Sequence, residues 1–348
     1  DLHRRRHSFP TRRSSDLPRN LPIRQRSLSF SAPVSRQSYS SIPSSPATNF
    51  LSQFAARDDA FEAPELSEGS VVQNYVLGRL IGKGGSSECR EAYSLNSTEI
   101  TLPSNRIALK IVTDPRCMKS FQREISIWSK LRHENILPLY NHFSGSGFHI
   151  AVTILASKGN LQELIVKDGP LSEESAKNLF EQICNAVKYL HDCAEVVHLD
   201  LKLENVVLDD SGRIYLCDFG LSRQKHSLRS IDDAIEEELG FCCGSVASLP
   251  PEALSDELAA FTNLVQFDAL KKQDIWALGV ILYSLVTGQV PFFDEYLPRL
   301  QQSIIEARYS PLPTNLSKTL ESLIKQLLQR VPDHRPDICA ICRHEWFT

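Results

Sequence analysis

VVHLDLKLENVVLDDSGRIYLCDFG, residues 196–220, is the stretch on which the reading of this chain turns. Asp200, Lys202, Asn205 and Asp218 all fall within it, and an apolar, strand-like run at 214–217 leads directly into Asp218-Phe219-Gly220. Two aspartates and an asparagine brought to the mouth of a cleft offer hard oxygen ligands. Mg2+ prefers such ligands and carries phosphate groups with it. Each short motif here is common by itself. Their order, one after a long helix and one after a strand, is what has weight.

Working outward, residues 173–191 have a helical period. Leu179, Ile183, Ala186, Val187 and Leu190 share a stripe, with Ser172 placed as N-cap. Before Gly159 the pattern changes. Runs at 76–81, 88–94, 106–112, 136–142 and 149–154 read as strands, and 119–131, with Phe121, Ile125 and Trp128 at spacings of three and four, reads as the one helix among them. Beyond the central stretch, 274–287, 297–307 and 316–329 read as helices. The prediction is an α+β protein in which a small sheet-rich half precedes a larger helical half, without internal repeats.

Two features of the small half bear on chemistry. Gly82-Lys83-Gly84-Gly85-Ser86-Ser87 lies between two predicted strands. A glycine-rich turn lets backbone N–H groups approach phosphate oxygens with no side chain in the way, although a plain hairpin uses the same residues. Ile107-Ala108-Leu109-Lys110 puts a lysine inside an apolar strand. Burying a lysine unpaired costs several kcal/mol, so it calls for an anionic partner, and Glu124 on the following helix is the candidate. The alternative is a lysine on a strand edge facing water.

The 348 residues are 42% apolar and 23% charged, enough for a sizeable core and ordinary for a soluble protein. No run of about 18 apolar residues is present, so no membrane insertion is expected. No apolar secretory signal opens the sequence, and nine cysteines without an even framework fit reduced thiols and a cytoplasmic or nuclear location. Cys339 and Cys342 have the spacing of half a zinc site but lack a second pair; helix packing is the plainer reading. Cys242-Cys243 read as loop residues, with redox sensitivity the alternative.

The net charge of −4 hides an asymmetry: residues 1–57 hold ten arginines against Asp1 and Asp16, which leaves an acidic body and no argument for nucleic acid as a partner. Residues 1–17, with HSFPTRRSSDL at 7–17, resemble the translation of a sequencing adapter and are read as foreign to the protein. Residues 18–70 are rich in Ser, Arg and Pro and are expected to be disordered, with order beginning near Tyr75. Arg24-Gln25-Arg26-Ser27 and Arg36-Gln37-Ser38 place serines near arginines. A regulatory tail with phospho-dependent partners and a bland linker are both open.

Taken together, these motifs resemble the eukaryotic protein kinases over residues 75–347. The resemblance implies a bilobal kinase domain at 75–348, with a small lobe at 75–156 and a large lobe at 157–348, ATP and Mg2+ as cofactors, and protein substrates with serine or threonine acceptors. By the same resemblance, Ile81 and residues 82–87 would cover the ATP phosphates, with Ser87 standing where a third glycine is usual. Cys89 and Ala108 would line the nucleotide site. Thr153 would guard the back of the adenine pocket, Leu155 would sit in the hinge, and Cys217 would face the nucleotide. Lys110 would hold the α- and β-phosphates while paired with Glu124. Asp200 would accept the substrate proton, Lys202 would steady the γ-phosphate, and Asn205 with Asp218 would bind the metal.

Pro250-Pro251-Glu252, Arg335, 274–279 and His344-Glu345-Trp346-Phe347 match further family positions. Lys202 and Gly244-Ser245 match serine/threonine rather than tyrosine kinases, and the whole looks most like the calcium/calmodulin-dependent-kinase-like group. No calmodulin-binding tail follows Thr348, so calmodulin control has no support in this sequence. Leu199 stands where the family has an arginine that receives an activation-segment phosphate, so activity independent of that phosphate is expected. Asp232, Asp233, Glu236, Glu237 and Glu238 could stand in for a phosphate or form a solvated charged helix. Val246 and Ser248 depart from the pattern beside the substrate groove, and residues between Glu252 and Asp274 read as an insertion. The rival readings are a catalytically silent scaffold with the same fold and a small-molecule kinase. Retention of Lys110, Asp200 and Asp218 weighs against the first, and Ser245 with the pairing of Glu252 and Arg335 against the second.

Overall fold

In β4 (Arg106–Val112), side chains alternate between two environments. Ile107, Leu109 and Ile111 enter a small cluster with Tyr75, Leu77, Ile150 and Val152, whereas Val112 joins the main core. A period of two puts Lys110 on Val112's face. The computed structural model describes residues 66–84, 87–95, 106–145, 147–226, 246–255 and 266–348. Residues 1–65, Gly85, Ser86, the acidic run 232–238, Cys242, Cys243, Gly244, Ser245 and residues 256–265 of the insertion after Glu252 lie outside the described residues.

β1 (Val71–Val72), β2 (Tyr75–Lys83), β3 (Glu88–Ser94), β4, β5 (Leu139–Gly145) and β6 (Phe148–Ile154) form one antiparallel sheet in the order β1-β2-β3-β4-β6-β5. Tyr75 stacks on Phe143 with ring centroids 5.9 Å apart, so β2 and the edge strand β5 approach across a curled sheet. The sheet begins at Val71, four residues before the predicted Tyr75, because Val71 and Val72 pair back onto Val76 and Tyr75. Helix α1 (Met118–Trp128) packs against it, burying Phe121, Ile125 and Trp128 as the spacing predicted, and burying Glu124 with them.

The larger lobe follows. α2 (Leu161–Asp168) starts at Asn160, whose side chain accepts from the Glu163 N–H. α3 (Glu173–Lys188) starts at Ser172, whose hydroxyl accepts from the Ser175 N–H, a cap worth about 1 kcal/mol. The predicted helix through 191 instead relaxes into a π turn over Tyr189–Cys193. Short strands β7 (Val196–Val197) and β10 (Arg223–Gln224) pair with each other, as do β8 (Val206–Leu208) and β9 (Ile214–Leu216).

α4 (Pro251–Leu254) precedes the central helix α5 (Phe267–Thr287), which is buried on nearly every face and ends at Gly288 with φ 71°. A positive φ at a helix end is the position glycine fills without strain. The helix opens seven residues before the predicted 274, because Phe267 and Leu270 pack on Val197 and Leu199 and extend it beyond its fully apolar run. α6 (Leu297–Ile305), α7 (Lys318–Leu327) and α8 (Ile338–Cys342) complete the lobe. Cys339 donates to Asp192 at 3.3 Å, and Cys342 packs against the core, so the packing reading of this pair is the one observed. The main core runs from Phe121, Ile125 and Trp128 of α1 through α3 to α5 and α7, joining the two lobes in one apolar body.

Candidate active site

Lys110 lies in a central strand, hydrogen-bonded through β3 on one side and β6 on the other, which excludes the edge-strand alternative. Its Nζ donates to Glu124 Oε1 and Oε2 at 2.6 and 2.9 Å and to Asp218 Oδ1 at 2.9 Å. The side chains of Lys110 and Glu124 are only 14% and 4% exposed, so the pairing is what makes their burial tolerable. Burial pulls the Lys110 ammonium down, but the two carboxylates outweigh it and hold the group well above its ordinary value. Burial likewise pushes Asp218 up, and Lys110 outweighs it and keeps that carboxyl below the usual range. Glu124 is pushed up by burial against the pull of Lys110, and it also accepts the Phe219 N–H.

The β8–β9 hairpin explains how Asn205 and Asp218, far apart in sequence, come together. Asn205 precedes β8, Asp218 follows Cys217 at the end of β9, and Val206 pairs with Leu216. The turn is closed by Asp209, whose Oδ1 accepts the N–H groups of Ser211 and Arg213 at 2.9 and 3.0 Å. At the open end, Cys217 N–H donates to the Asn205 carbonyl at 3.0 Å, and the Cys217 thiol donates to that carbonyl at 3.4 Å.

Asp200 is held from beneath by Asp274 of α5, a buried carboxylate that sequence reading gave no role in the site. Asp274 accepts the backbone N–H groups of His198 and Leu199 at 2.9 and 2.8 Å and pairs with His191 Nε2 at 2.8 Å. Leu199 has φ 64° and Asp218 φ 65°, left-handed backbone that is unfavourable for ordinary side chains. Strain of about 1–3 kcal/mol per such residue persists only where neighbours over-determine it, and Asp274 does so at Leu199. His198 Nδ1 accepts the Asp200 N–H at 3.3 Å, which leaves its Nε2 to donate to the Cys217 carbonyl at 3.1 Å. One imidazole thus links the Asp200 loop to the Asp218 loop.

Asp200 Oδ2 receives Lys202 Nζ at 2.6 Å and Asn205 Nδ2 at 2.8 Å, and Asn205 Nδ2 also donates to the Asp200 carbonyl at 2.8 Å. Asn205 therefore commits its amide nitrogen to Asp200 and keeps its side-chain oxygen for another partner. Asp218 commits one oxygen to Lys110 while its side chain is 46% exposed. Two oxygen donors of this kind suit Mg2+.

The remaining predicted residues fall around these groups. Cys89 is opposite Lys110 on β3 and opposite Gly82 on β2, and Ala108 is opposite Thr153. Thr153 is buried and spends its hydroxyl on the Pro138 carbonyl at 2.7 Å. Ile81 is half-buried and Gly82 exposed at the end of β2, and Leu155 is half-buried just past β6. Lys83 pairs with Glu88 at 3.0 Å, while Gly84 N–H donates to the Ser87 carbonyl at 2.8 Å.

Residues 75–347 match the protein kinase domain, and the chain belongs to that family. It is 34% identical over 285 residues to CBL-interacting serine/threonine-protein kinase 17 of Arabidopsis thaliana, a match covering 80% of this chain and 61% of that protein. Serine/threonine-protein kinase SIK2 of Gallus gallus is 33% identical over 273 residues, covering 78% of this chain and 32% of the relative. The carbon catabolite-derepressing protein kinase of Candida glabrata is 32% identical over 287 residues, covering 81% and 43%. The chain thus spans from about a third to three fifths of the length of these relatives.

Proposed function

We propose that the protein is an ATP-dependent serine/threonine protein kinase that phosphorylates other proteins. The observation that carries this reading is the Lys110 ammonium, shared between Glu124 of the small lobe and Asp218 of the large one beside the Asp200–Lys202–Asn205 cluster. Lys110 would bind the α- and β-phosphates, with Glu124 fixing its position. The turn 82–87 would cover the triphosphate with backbone N–H groups. Bound Mg2+, held by Asn205 and Asp218, would neutralise phosphate charge. Asp200 would accept the proton of the attacking hydroxyl, and Lys202, already beside Asp200, would stabilise charge on the transferred phosphoryl group. Phosphoryl transfer asks little covalent chemistry of a protein, and positioning with charge stabilisation supplies most of the rate.

Serine and threonine are proposed as acceptors because Lys202 lies two residues beyond the base and because the relatives above bear that designation. Incubation with γ-labelled ATP, Mg2+ and a generic protein substrate, followed by phosphoamino-acid analysis, tests this. Label on serine and threonine is expected. Label confined to tyrosine would overturn the acceptor assignment, and no label above background would favour the scaffold.

A further inference from the structure

We propose that Phe267 is a positioning residue for Asp200: from the first turn of α5 it grips the Leu199 side chain and so keeps the loop that carries Asp200 in its left-handed turn. The inference rests on the kinase reading, which gives Asp200 its role, but Phe267 has no part in that reading. Phe267, Leu270 and Asp274 follow one another along α5 at spacings of three and four. Residues so spaced share one face of a helix. That face meets residues 197–199. Phe267, Leu270 and Val197 are buried together in a small apolar cluster, and half-buried Leu199 packs against it. Asp274, two turns beyond Phe267, accepts the N–H groups of His198 and Leu199. One helix therefore holds Leu199 twice, by its backbone through a carboxylate and by its side chain through an apolar contact.

The two holds do different things. Leu199 has φ 64°, where the Cβ of an L-residue crowds the backbone oxygen. The bond to Asp274 fixes the direction of the Leu199 N–H, but φ is rotation about the bond that leaves that nitrogen. A hold on the side chain, beyond the rotating bond, is what fixes φ. The next residue is Asp200, so a change of φ at Leu199 swings the carboxylate. Val197 pairs with Arg223 of β10, and the Ser222 hydroxyl donates to the His198 carbonyl at 3.2 Å, so the two residues before Leu199 are held from the other side. Asn205 holds the far side of Asp200 through its carbonyl. The cluster holds the near side.

The contact can be removed without dismantling the helix. From Ile275 to Val286, α5 is buried in the main core, whereas Phe267 and Leu270 belong to the separate small cluster. Loss of Phe267 therefore frees the Leu199 side chain while Asp274 stays anchored by the residues that follow it. The same ring lies 6.0 Å from Lys225 Nζ, and the Lys225 N–H donates to the Glu195 carbonyl at 3.0 Å. Phe267 thus stands where α5, the approach to the Asp200 loop and the segment after β10 meet.

Phe267→Ala removes the grip and Phe267→Leu keeps an apolar one. Val286→Ala trims α5 inside the main core, about 28 Å along the helix axis from Phe267, and is the control. With each variant assayed well below its own Tm, Phe267→Ala is expected to lower kcat about tenfold while KM for ATP stays within about twofold. Phe267→Leu and Val286→Ala are expected to stay within about twofold of wild type in both constants. If Phe267→Ala does not fold, Leu270→Ala, on the same stripe, has the same expected effect. A Phe267→Ala enzyme as fast as the control would overturn the proposal and leave the kinase reading untouched, whereas absence of transfer in the wild type would count against that reading. Amide hydrogen exchange tests the grip without reference to activity. The Leu199 and Asp200 amides are expected to exchange at least about tenfold faster in Phe267→Ala than in wild type, with the Leu109 and Val152 amides of the sheet unchanged. Unchanged exchange at Leu199 and Asp200 would overturn the proposal whatever the kinetics.

Discussion

Lys110 and Asp218 show how local charge sets the working range of the site. The Lys110 pKa is raised by its two carboxylates against the effect of burial, so the stabilisation it contributes is fully present below about pH 10.4, its unfolded value, and is lost only above that. The Asp218 carboxyl is depressed by Lys110 against the effect of burial, so its contribution is present above about pH 3.9 and lost as pH falls through the lower folded value. Across neutral pH both charges stand. Asp218→Asn replaces one carboxylate oxygen with an amide nitrogen and removes the charge at nearly constant shape. In a thermal-shift titration, the extra stabilisation that Mg2+ adds to ATP binding should fall by at least half. A variant whose Mg2+-dependent shift equals the wild type's would argue against Asp218 as a metal ligand.

Among elements, legibility followed how local the cause was. β3 and β4 have the predicted bounds because their alternation is written in consecutive residues and both are paired on two sides. α2 escaped prediction because its eight residues are too short to display a helical period. Lys110, Glu124, Asp200, Asn205 and Asp218 were readable from spacing and resemblance. The service of Asp274 to the Asp200 loop was not, because it depends on backbone N–H groups placed by tertiary folding.

Glu173 is a further case. It opens α3 yet accepts the Ser317 N–H at 3.0 Å and Trp346 Nε1 at 2.8 Å, tying α3 to the start of α7 and to the C-terminal turn. Burial pushes its carboxyl up, but these bonds, with the Ser317 hydroxyl foremost, hold it below the ordinary value. Glu173→Gln should therefore cost about 1.5–3 kcal/mol at pH 7, and the gap should close below about pH 4 as the wild-type carboxyl protonates. Urea unfolding at both pH values checks this; a gap that persists unchanged in acid would contradict it.

Glu252 and Arg335 form a two-pronged pair at 2.7 Å on each prong, both residues about 1% exposed, with the guanidinium 4.9 Å from the Trp276 ring. Glu252→Gln leaves a buried cation without its counter-charge and should cost about 3–5 kcal/mol by urea unfolding. A loss under about 1 kcal/mol would mean that the pair is not closed in solution.

In the whole molecule, one apolar body running from α1 through α3 to α5 and α7 holds a sheet-borne lysine over a loop-borne carboxylate. The proposed phosphoryl transfer depends on the relation between them, so a test of it has to engage both lobes together. The most direct measurement compares Asp200→Asn with wild type for steady-state γ-phosphate transfer and, separately, for ATP affinity. The account predicts that kcat falls by about 100-fold or more while ATP affinity stays within about threefold. Transfer by the variant at the wild-type rate would contradict it.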